Sequence, residues 1–395
     1  MRNAGPATEP SIEPAGGAVG MGLIKVAVVT NIPAPYRVPI FNLLANERGI
    51  DLRVFYAAQS EPDREWDLPE LLHPHWFLRE RFVTRNGAYI HNNPDVFAAL
   101  RAFDPQVVMT TGYNPTHLYA FAYAQVFRRG HVAMTDGTVA SEAKLSSVHR
   151  LVRRVVLGRS RSFVAASEGG RALLRVYGCA EGRIHLSRLC ANTSVPWVGI
   201  APCSPGLDFL FSGRLVETKN PLFALRVAHG VAVRIGQRVS LGILGTGPLE
   251  RELRAQAAGV ATTVELRVAG HVRQAEIPAW FASVKGFLFP TLWDPWGVVA
   301  NEACLAGVPV IISPHAGAAG ELVRDDVNGF VRPLELPLWV DVATRLLSEP
   351  ALHSRLSAQA RVQVQPYNFE NAAKGIADAA RMAADEEIQP GSLPR

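Results

Sequence analysis

The feature that most constrains this chain is an alternation of short apolar runs with longer helical patterns, which stops near residue 200 and then begins again. The runs are KVAVVT (25–30), LRVFYAA (52–58), DPQVVMTTG (104–112), HVAMTDG (131–137) and RSFVAAS (161–167), then DFLFSG (208–213), VSLGILG (239–245), VELRVAG (264–270), GFLFP (286–290) and VPVIIS (308–313). Each run is apolar along nearly its whole length, which is typical of strands buried on both faces. Such strands alternating with helices predict βαβ units on a parallel sheet.

Because the series begins again, it predicts two doubly wound α/β domains that face each other across a cleft. Ligands in such sheets bind beyond the carboxyl ends of the strands, so the residues after each strand are the candidate site residues. A length of 395 residues fits two or three domains. The expected divisions are a disordered leader (1–21), a first domain (22–200), a linker (201–207), a second domain (208–365), a C-terminal helix packing back toward the first domain (366–387) and a loose tail (388–395).

Composition excludes several classes of protein. Hydrophobic residues make up 48% and charged residues 19% of the chain, which supports sizeable cores. We expect neither a secretory signal nor a transmembrane helix, since no basic start precedes an apolar run and no apolar stretch is long enough. A net charge of +5 without a nucleic-acid-binding motif does not favour nucleic acid. The cysteines form no CxxC pair and are expected to be reduced thiols of a cytoplasmic protein: Cys179, Cys190, Cys203 and Cys304.

The most informative segment is PTLWDPWGVVANEACLAGVPVI (290–311). It predicts the end of a strand, a loop with Asp294, and a helix over 298–306 that begins after Gly297. The free N–H groups at such a helix N-terminus suit a phosphate. Glu302 follows roughly two turns along the helix, about 10–12 Å from Asp294. One acid could therefore contact a sugar while the other contacts a ribose.

This segment resembles the signature of glycosyltransferase family 4, retaining enzymes of the GT-B fold. In that family an acid, seven residues and a Glu are followed by a helix of small residues. The resemblance implies that Glu302 binds the donor ribose, and that Trp296, Gly297 and Val298 belong to the donor site. Asp294 stands where the family usually has Glu, so its carboxylate reaches one methylene less far toward the sugar. The alternative is that Asp294 caps the helix and Glu302 is an ordinary helical residue.

The segment FSGRLVETKNP (211–221) is similar to the family's Gly-Arg…Lys motif. By this resemblance Arg214 and Lys219 hold the donor diphosphate, and their charges stabilise the departing nucleoside diphosphate. A solvated turn is the alternative. Glycines after strands let the backbone pass close to the nucleotide. Those assigned to the donor site are Gly213, Gly245 and Gly247.

The first half of the chain is expected to bind the acceptor, as it does in the family. NIPAPYRVPIFN (31–42) resembles a family subset with a Pro-Ala-Pro-Tyr-Arg loop, which makes Tyr36 and Arg37 candidate acceptor contacts. Pro-rich packing with a surface arginine is the alternative. Asp136 ends a strand where many relatives place a catalytic histidine, and it is assigned to a sugar or acceptor hydroxyl; a simple Asp-Gly turn is the alternative. The remaining candidates for lining the cleft are Gly112 and Asn114.

The resemblance implies transfer of a sugar, with retention of anomeric configuration, from a nucleotide-sugar to a glycan, lipid-linked or small-molecule acceptor. We expect this to serve the synthesis of a cell-surface polysaccharide or glycoconjugate. No cofactor or metal is expected, because the basic residues neutralise the leaving group. Two alternatives are a GT-B-fold nucleotide-sugar 2-epimerase and a non-catalytic scaffold that binds a nucleotide-sugar.

A basic stretch over 144–161 carries six cations and no acid. The spacing predicts a helix on which Arg150, Arg153, Arg154 and Arg161 share one broad face. Such a helix suits an anionic membrane, which would place the protein at the inner face of the plasma membrane. The alternative is a helix that packs on the sheet with its arginines solvated.

Overall fold

The computed structural model describes most of the chain. The expected leader and tail, part of the linker, Lys144 and Cys203 lie outside the described residues. The described residues are 23–385 without 63–67, 86–87, 144, 194 and 203–205.

The first domain is a seven-stranded parallel sheet with helices on both faces. Its strands are β1 (Ile24–Thr30), β2 (Ile50–Tyr56), β3 (His75–Phe77), β4 (Phe82–Arg85), β5 (Ala88–His91), β6 (Val107–Thr110), β7 (Gly130–Thr135), β8 (Ser162–Ala165) and β9 (Ile184–Leu186). Its helices are α1 (Val38–Leu44), α2 (Val96–Phe103), α3 (Pro115–Val126), α4 (Val139–Glu142), α5 (Ser147–Gly158) and α6 (Glu168–Val176). The strand order is β3-β2-β1-β6-β7-β8-β9, and β4 and β5 form a separate antiparallel hairpin.

The second domain is a six-stranded parallel sheet of order β12-β11-β10-β13-β14-β15. Its strands are β10 (Leu207–Ser212), β11 (Val239–Leu244), β12 (Val264–Gly270), β13 (Val284–Phe289), β14 (Val310–Ile312) and β15 (Gly329–Val331). Its helices are α7 (Pro221–Ile235), α8 (Glu250–Gly259), α9 (Ile277–Phe281), α10 (Val298–Ala306), α11 (Leu336–Ser348) and α12 (Pro350–Val364), and the chain then continues into α13 (Phe369–Ala384).

The predicted fold class is confirmed: two doubly wound α/β domains with the GT-B arrangement. Burial on both faces explains the continuous apolar runs. Along β1, Val26 and Val28 join one buried cluster, whereas Ala27 and Val29 join another on the opposite face. The strands without a counterpart among the predicted runs are short; β3, β9 and β15 have three residues each and lie at sheet edges.

Helix α13 packs on the first domain although it follows the second in sequence. It contacts α1 and the strands β7, β8 and β9. The Oγ of Ser162 donates to the carbonyl of Ala379 at 2.7 Å, and a guanidinium nitrogen of Arg161 donates to that of Ala383 at 3.0 Å. Gly375 permits the contact, since a Cβ there would lie 1.8 Å from the carbonyl oxygen of Leu186. The chain therefore crosses between the domains twice.

In the part of the chain that the structure describes, no helix combines the length and apolar character needed to cross a bilayer.

Candidate functional site

The N-terminus of α10 opens into the space between the domains, and its geometry depends on Gly297. The helix spans the predicted residues, with Gly297 before it and Gly307 after it, both in the left-handed region. Gly297 has a φ of +93°, and a Cβ there would lie 2.2 Å from the ring of Phe289. Only glycine fits at this position, and the first N–H groups of the helix are left to bind an anion.

The loops after β10 and β11 cross at backbone contact. A Cβ on Gly245 would lie 2.1 Å from the carbonyl oxygen of Gly213, and one on Gly247 would lie 2.5 Å from that of Leu215. The amide of Leu215 donates to the carbonyl of Thr246 at 2.8 Å, which fixes the crossing. The glycines therefore bring two strand ends together and form the floor of a cavity. Of the three, Gly213 and Gly245 line that cavity.

That cavity has a volume of about 500 Å³, within the range of small-ligand sites. The exposed Arg214 lines it, and so do His271 and Val272, which follow β12. Glu302 lines it from α10. The cavity is thus bounded by a cation, glycine backbone and a carboxylate.

Glu302 is buried, and burial raises its pKa from 4.5 to about 7. The Nε2 of Gln274 donates to its Oε1 at 3.0 Å, a contact that opposes the rise. Among the described residues, no group hydrogen-bonds the other carboxylate oxygen, Oε2. A buried oxygen without a partner is costly, so this atom suits a hydroxyl brought by a ligand.

Lys219 and Asp294 form an ion pair, and both residues line the cleft. The Nζ of Lys219 donates to one carboxylate oxygen of Asp294 at 2.5 Å. The other oxygen accepts the backbone N–H of Trp296 at 3.1 Å, which shapes the turn before α10. Asp294 is therefore a loop-capping residue as well as a neighbour of the cleft.

The side chain of Trp296 serves packing. It is buried, its Nε1 donates to the Oδ1 of Asn301 at 2.8 Å, and it stacks on Tyr367. Asn301 in turn donates to the carbonyl of Leu189 in the first domain at 3.2 Å. Asn301 thus joins α10 to the first domain, and the indole N–H of Trp296 is used to hold Asn301 in place.

The first domain presents Arg37 and Asp136 to the cleft. The amide of Arg37 donates to the carbonyl of Ala34 at 2.8 Å, so the turn after β1 directs this arginine inward. Its guanidinium donates to Asp136 at 2.5 Å and to Ser187 at 3.4 Å. Arg37 is buried, whereas about half of the Asp136 side chain is exposed. Arg37 is therefore not the surface arginine of the alternative but a buried partner of the acid at the end of β7.

The two halves meet around a cavity of about 220 Å³. Tyr36 and Asp136 line it from the first domain, and Lys219, Asp294 and Val298 line it from the second. Gly213, Trp296 and Gly297 line it as well, so eight sequence-predicted residues from distant parts of the chain share one space. Within the described ranges, no group of three or more His, Cys, Asp or Glu side chains could hold a metal ion.

Gly112 and Asn114 do not line the cavities at the cleft. Asn114 caps α3, and its Nδ2 donates to the Oδ1 of Asn31, which does line the cleft, at 2.8 Å. Gly112 makes room for the ring of His117, because a Cβ there would lie 2.9 Å from it. Their assignment to the acceptor stays a prediction.

The predicted arginine face of 144–161 was partly wrong. Arg153 turns inward to an ion pair with Glu142, and Arg161 reaches the end of α13. Arg150 and Arg154 remain exposed. Beside them lies an exposed apolar stripe formed by Val148, Leu151 and Val155.

The polar residues that line these cavities and that sequence reasoning missed include Gln274 and Glu61. Gln274 lies four residues after β12, where the rule on strand ends could have found it. Glu61 lies five residues after β2, in a loop that no motif marks.

Comparison with known proteins agrees with this geometry. The sequence model of a family described as glycosyl transferases group 1 matches residues 205–363. The chain is 27% identical over 241 residues to a D-inositol 3-phosphate glycosyltransferase of Xylanimonas cellulosilytica, covering 56% of this chain and 57% of that protein. It is 31% identical over 184 residues to the protein of the same name in Streptomyces griseus, covering 43% and 38%. The chain spans about half the length of the curated relatives it matches.

Among solved structures, the fold is similar to that of HepE from Anabaena in complex with UDP. The TM-score is 0.70 at 15% identity, and the match covers 91% of this chain and 99% of HepE. Sucrose-phosphate synthase from Thermosynechococcus elongatus gives a TM-score of 0.64 at 16% identity, covering 91% and 98%. At these identities the likeness is one of fold.

Proposed function

We propose that this protein transfers a sugar from a nucleotide-sugar donor to an acceptor hydroxyl. The second domain, over residues 205–363, belongs to the glycosyl transferases group 1 family. The observation that carries the proposal is the cavity between the domains, where Lys219 and Asp294 face Tyr36 and Asp136. A donor in one domain and an acceptor in the other would bring their reacting atoms together in that space.

In this proposal the nucleoside occupies the 500 Å³ cavity, with its ribose against Glu302. A uracil base, as in the UDP bound to HepE, suits the wall formed by His271 and Val272. The diphosphate lies against Arg214, Lys219 and the N-terminus of α10. The sugar then points into the cavity shared by Asp294 and the first domain.

We propose that the reaction retains anomeric configuration through a front-face displacement. The acceptor oxygen forms its bond to the anomeric carbon on the face that the diphosphate leaves, and a leaving phosphate oxygen takes the acceptor's proton. Arg214, Lys219 and the N-terminus of α10 stabilise the charge that develops on the diphosphate. These groups supply the charge neutralisation without a metal. Asp136, held by Arg37, orients the acceptor hydroxyl.

Two alternatives bind the same donor, a 2-epimerase and a non-catalytic scaffold. The first-domain pair Arg37–Asp136 lies beside the sugar position, where an acceptor would have to be oriented. This observation favours transfer to an acceptor.

A donor panel distinguishes the three. The protein is incubated with UDP-glucose, UDP-N-acetylglucosamine, GDP-mannose and ADP-glucose, and binding is followed by thermal shift and products by chromatography. Release of the nucleoside diphosphate supports transfer, because slow transfer to water needs no acceptor. An isomerised, intact donor supports the epimerase, and stabilisation without turnover supports the scaffold.

We also propose that the protein works at an anionic membrane surface, as a peripheral protein of the cytoplasm that modifies a cell-surface glycan or its lipid-linked precursor. The supporting surface is the exposed face of α5, where Arg150 and Arg154 lie beside Val148, Leu151 and Val155. Apolar side chains next to cations suit a lipid interface, and each cation contributes about 1 kcal/mol near an anionic surface.

The membrane proposal is tested by co-sedimentation with vesicles of phosphatidylglycerol or phosphatidylcholine. Binding to the anionic vesicles alone, lost in Arg150→Glu/Arg154→Glu, is the expected result. The matched control is Arg251→Glu/Arg254→Glu on α8 of the second domain, which should bind like wild type. Equal and negligible binding to both vesicles would contradict the proposal.

A further inference from the structure

A second cavity in the cleft lies wholly within the first domain. It has a volume of about 170 Å³, which is below the usual range for a whole drug-sized ligand and fits a single ring. Its polar lining includes Thr30, Asn31 and Thr111 at the ends of β1 and β6. The carboxyl ends of adjacent parallel strands therefore supply hydroxyl and amide groups to one small space.

Glu61 also lines this cavity. Glu61 is buried, and its Oε1 is 3.0 Å from the Nε2 of His91, which is fully buried. A carboxylate held in this way keeps its position without a ligand. It can then accept hydrogen bonds from hydroxyl groups in a fixed direction.

Asp136 and Tyr36 line both this cavity and the one between the domains. A ring seated against Glu61 would therefore have one edge at Asp136, next to Lys219 and Asp294 across the cleft. This is where the proposed reaction needs an acceptor hydroxyl. The two cavities together form a path from donor to acceptor.

The charges of the cavity distinguish between acceptors. Among the described residues that line it, Glu61 and Asp136 are carboxylates and Arg37 is the one guanidinium. The Arg37 guanidinium already donates to Asp136 and Ser187. A phosphate requires donors, and here it would meet two carboxylates, whereas sugar hydroxyls can donate to both.

We infer that the 170 Å³ cavity is the acceptor site, that it takes a neutral polyhydroxyl ring such as a hexose or a cyclitol, and that Glu61 determines this specificity. The inference rests on the proposed glycosyl transfer and names its acceptor class. It separates this chain from the relatives whose name specifies an inositol phosphate.

The test pairs neutral acceptors with their phosphates. Using the donor that the panel identifies, transfer is measured to glucose, mannose and myo-inositol, and to glucose 6-phosphate, mannose 6-phosphate and inositol 3-phosphate. At least one neutral acceptor should be used at least tenfold better in kcat/KM than its phosphate. A preference for the phosphates would overturn the inference while leaving the proposed function intact. A wild-type protein that neither binds nucleotide nor consumes a donor would refute the proposed function itself.

Glu61→Gln keeps the shape of the side chain and removes its charge. The substitution should raise the KM for the neutral acceptor at least tenfold and leave the donor KM within twofold. The ratio of kcat/KM for the neutral acceptor to that for its phosphate should fall. Glu80→Gln, an exposed acid outside the cavity, is the matched control and should behave like wild type. A folded Glu61→Gln protein with the control's acceptor KM would overturn the role of Glu61.

A binding measurement keeps the inference testable if the Glu61 variants fail to fold. Saturation-transfer NMR on the wild-type protein with bound UDP should show contact with the neutral sugars, and the phosphates should not displace them. Contact with the phosphates alone would overturn the inference.

Discussion

Burial, and not a neighbouring charge, sets the chemistry of Glu302. Glu302 lies on α10, and its carboxyl accepts one hydrogen bond, from Gln274. Burial raises its pKa to about 7. A donor ribose would give the second oxygen its partner and favour the ionised form. The family motif assigns Glu302 to the ribose. Among the described residues that line the donor cavity, it is the one carboxylate with an oxygen that accepts no hydrogen bond.

The raised pKa of Glu302 predicts a pH dependence of stability. The folded protein binds this proton more tightly than the unfolded chain, so the contribution is complete below about pH 4.5 and is lost as the pH rises through about 7. The difference in the free energy of unfolding between wild type and Glu302→Gln should therefore depend on pH. Wild type should lose roughly 3 kcal/mol relative to the variant as the pH rises from about 4.5 through about 7. Urea unfolding at several pH values measures it, and a flat or rising difference would show that the carboxyl is not desolvated.

Asp294→Asn should separate binding from turnover. Asparagine keeps the oxygen that accepts the Trp296 amide but removes the charge that holds Lys219. Lys219 is then freer to contact a diphosphate, so UDP should bind as tightly as to wild type or several-fold more tightly. Turnover of the donor should fall at least tenfold, because the sugar loses its anionic contact. Calorimetry and product release measure the two effects, and an equal loss of both would make Asp294 a structural cap.

At the scale of elements, the crossing of the loops after β10 and β11 determines whether the donor cavity can form. Gly245 has a φ of +126° and faces the Gly213 carbonyl at a distance that excludes a Cβ. Gly236, which ends α7, also has a positive φ, of +67°, but has open space around it. Both glycines thus need a positive φ, but only Gly245 also lacks room for a Cβ.

Gly245→Ala should therefore destabilise the protein by roughly 3 kcal/mol or more and abolish the stabilisation by UDP. Gly236→Ala is the matched control and should cost about 1 kcal/mol, with UDP binding unchanged. Thermal unfolding with and without UDP gives both quantities. Equal effects of the two substitutions would mean that the crossing does not shape the cavity.

Much at this scale follows from the sequence. The bounds of α10 were predictable because Gly297 and Gly307 mark both ends. Each of the ten predicted runs contains a strand of one of the two sheets, although β12, at a sheet edge, is mostly half-buried. The orientation of α5 was not predictable from spacing. Arg153 turns inward because Glu142, outside the helix, provides an ion pair that a helical projection does not contain.

At the scale of the whole molecule, α13 fixes how the chain returns to the first domain. Its face of small residues permits backbone contact with β9, where Gly375 lies against the Leu186 carbonyl. Gly375→Ala should destabilise the protein by about 2–4 kcal/mol although alanine favours helix. Gly259→Ala, at the end of α8 with open space around it, should be neutral or stabilise by up to about 1 kcal/mol. Urea unfolding of the two variants checks the contrast, and similar values for both would contradict the packing argument.

The pairing of the two domains was only partly accessible from sequence. The motifs predicted which residues of the second domain gather at the cleft, because they follow strands of one parallel sheet. The contact of Arg37 with Asp136 joins residues 99 positions apart in the sequence, and no local sequence pattern predicts a contact over that separation. Glu61 was missed for the same reason, since its partner His91 lies in the β4–β5 hairpin.

The most direct test of the account is the rate at which the protein releases nucleoside diphosphate from the donor that the panel identifies. Lys219→Ala and Glu302→Ala should fold and lose roughly 2–4 kcal/mol of transition-state stabilisation, a rate loss of at least about 30-fold. Lys285→Ala, an exposed lysine on β13 whose partner is Asp208, is the matched control and should keep the wild-type rate. Wild-type release by folded Lys219→Ala and Glu302→Ala proteins would contradict the claim that this cleft binds the donor.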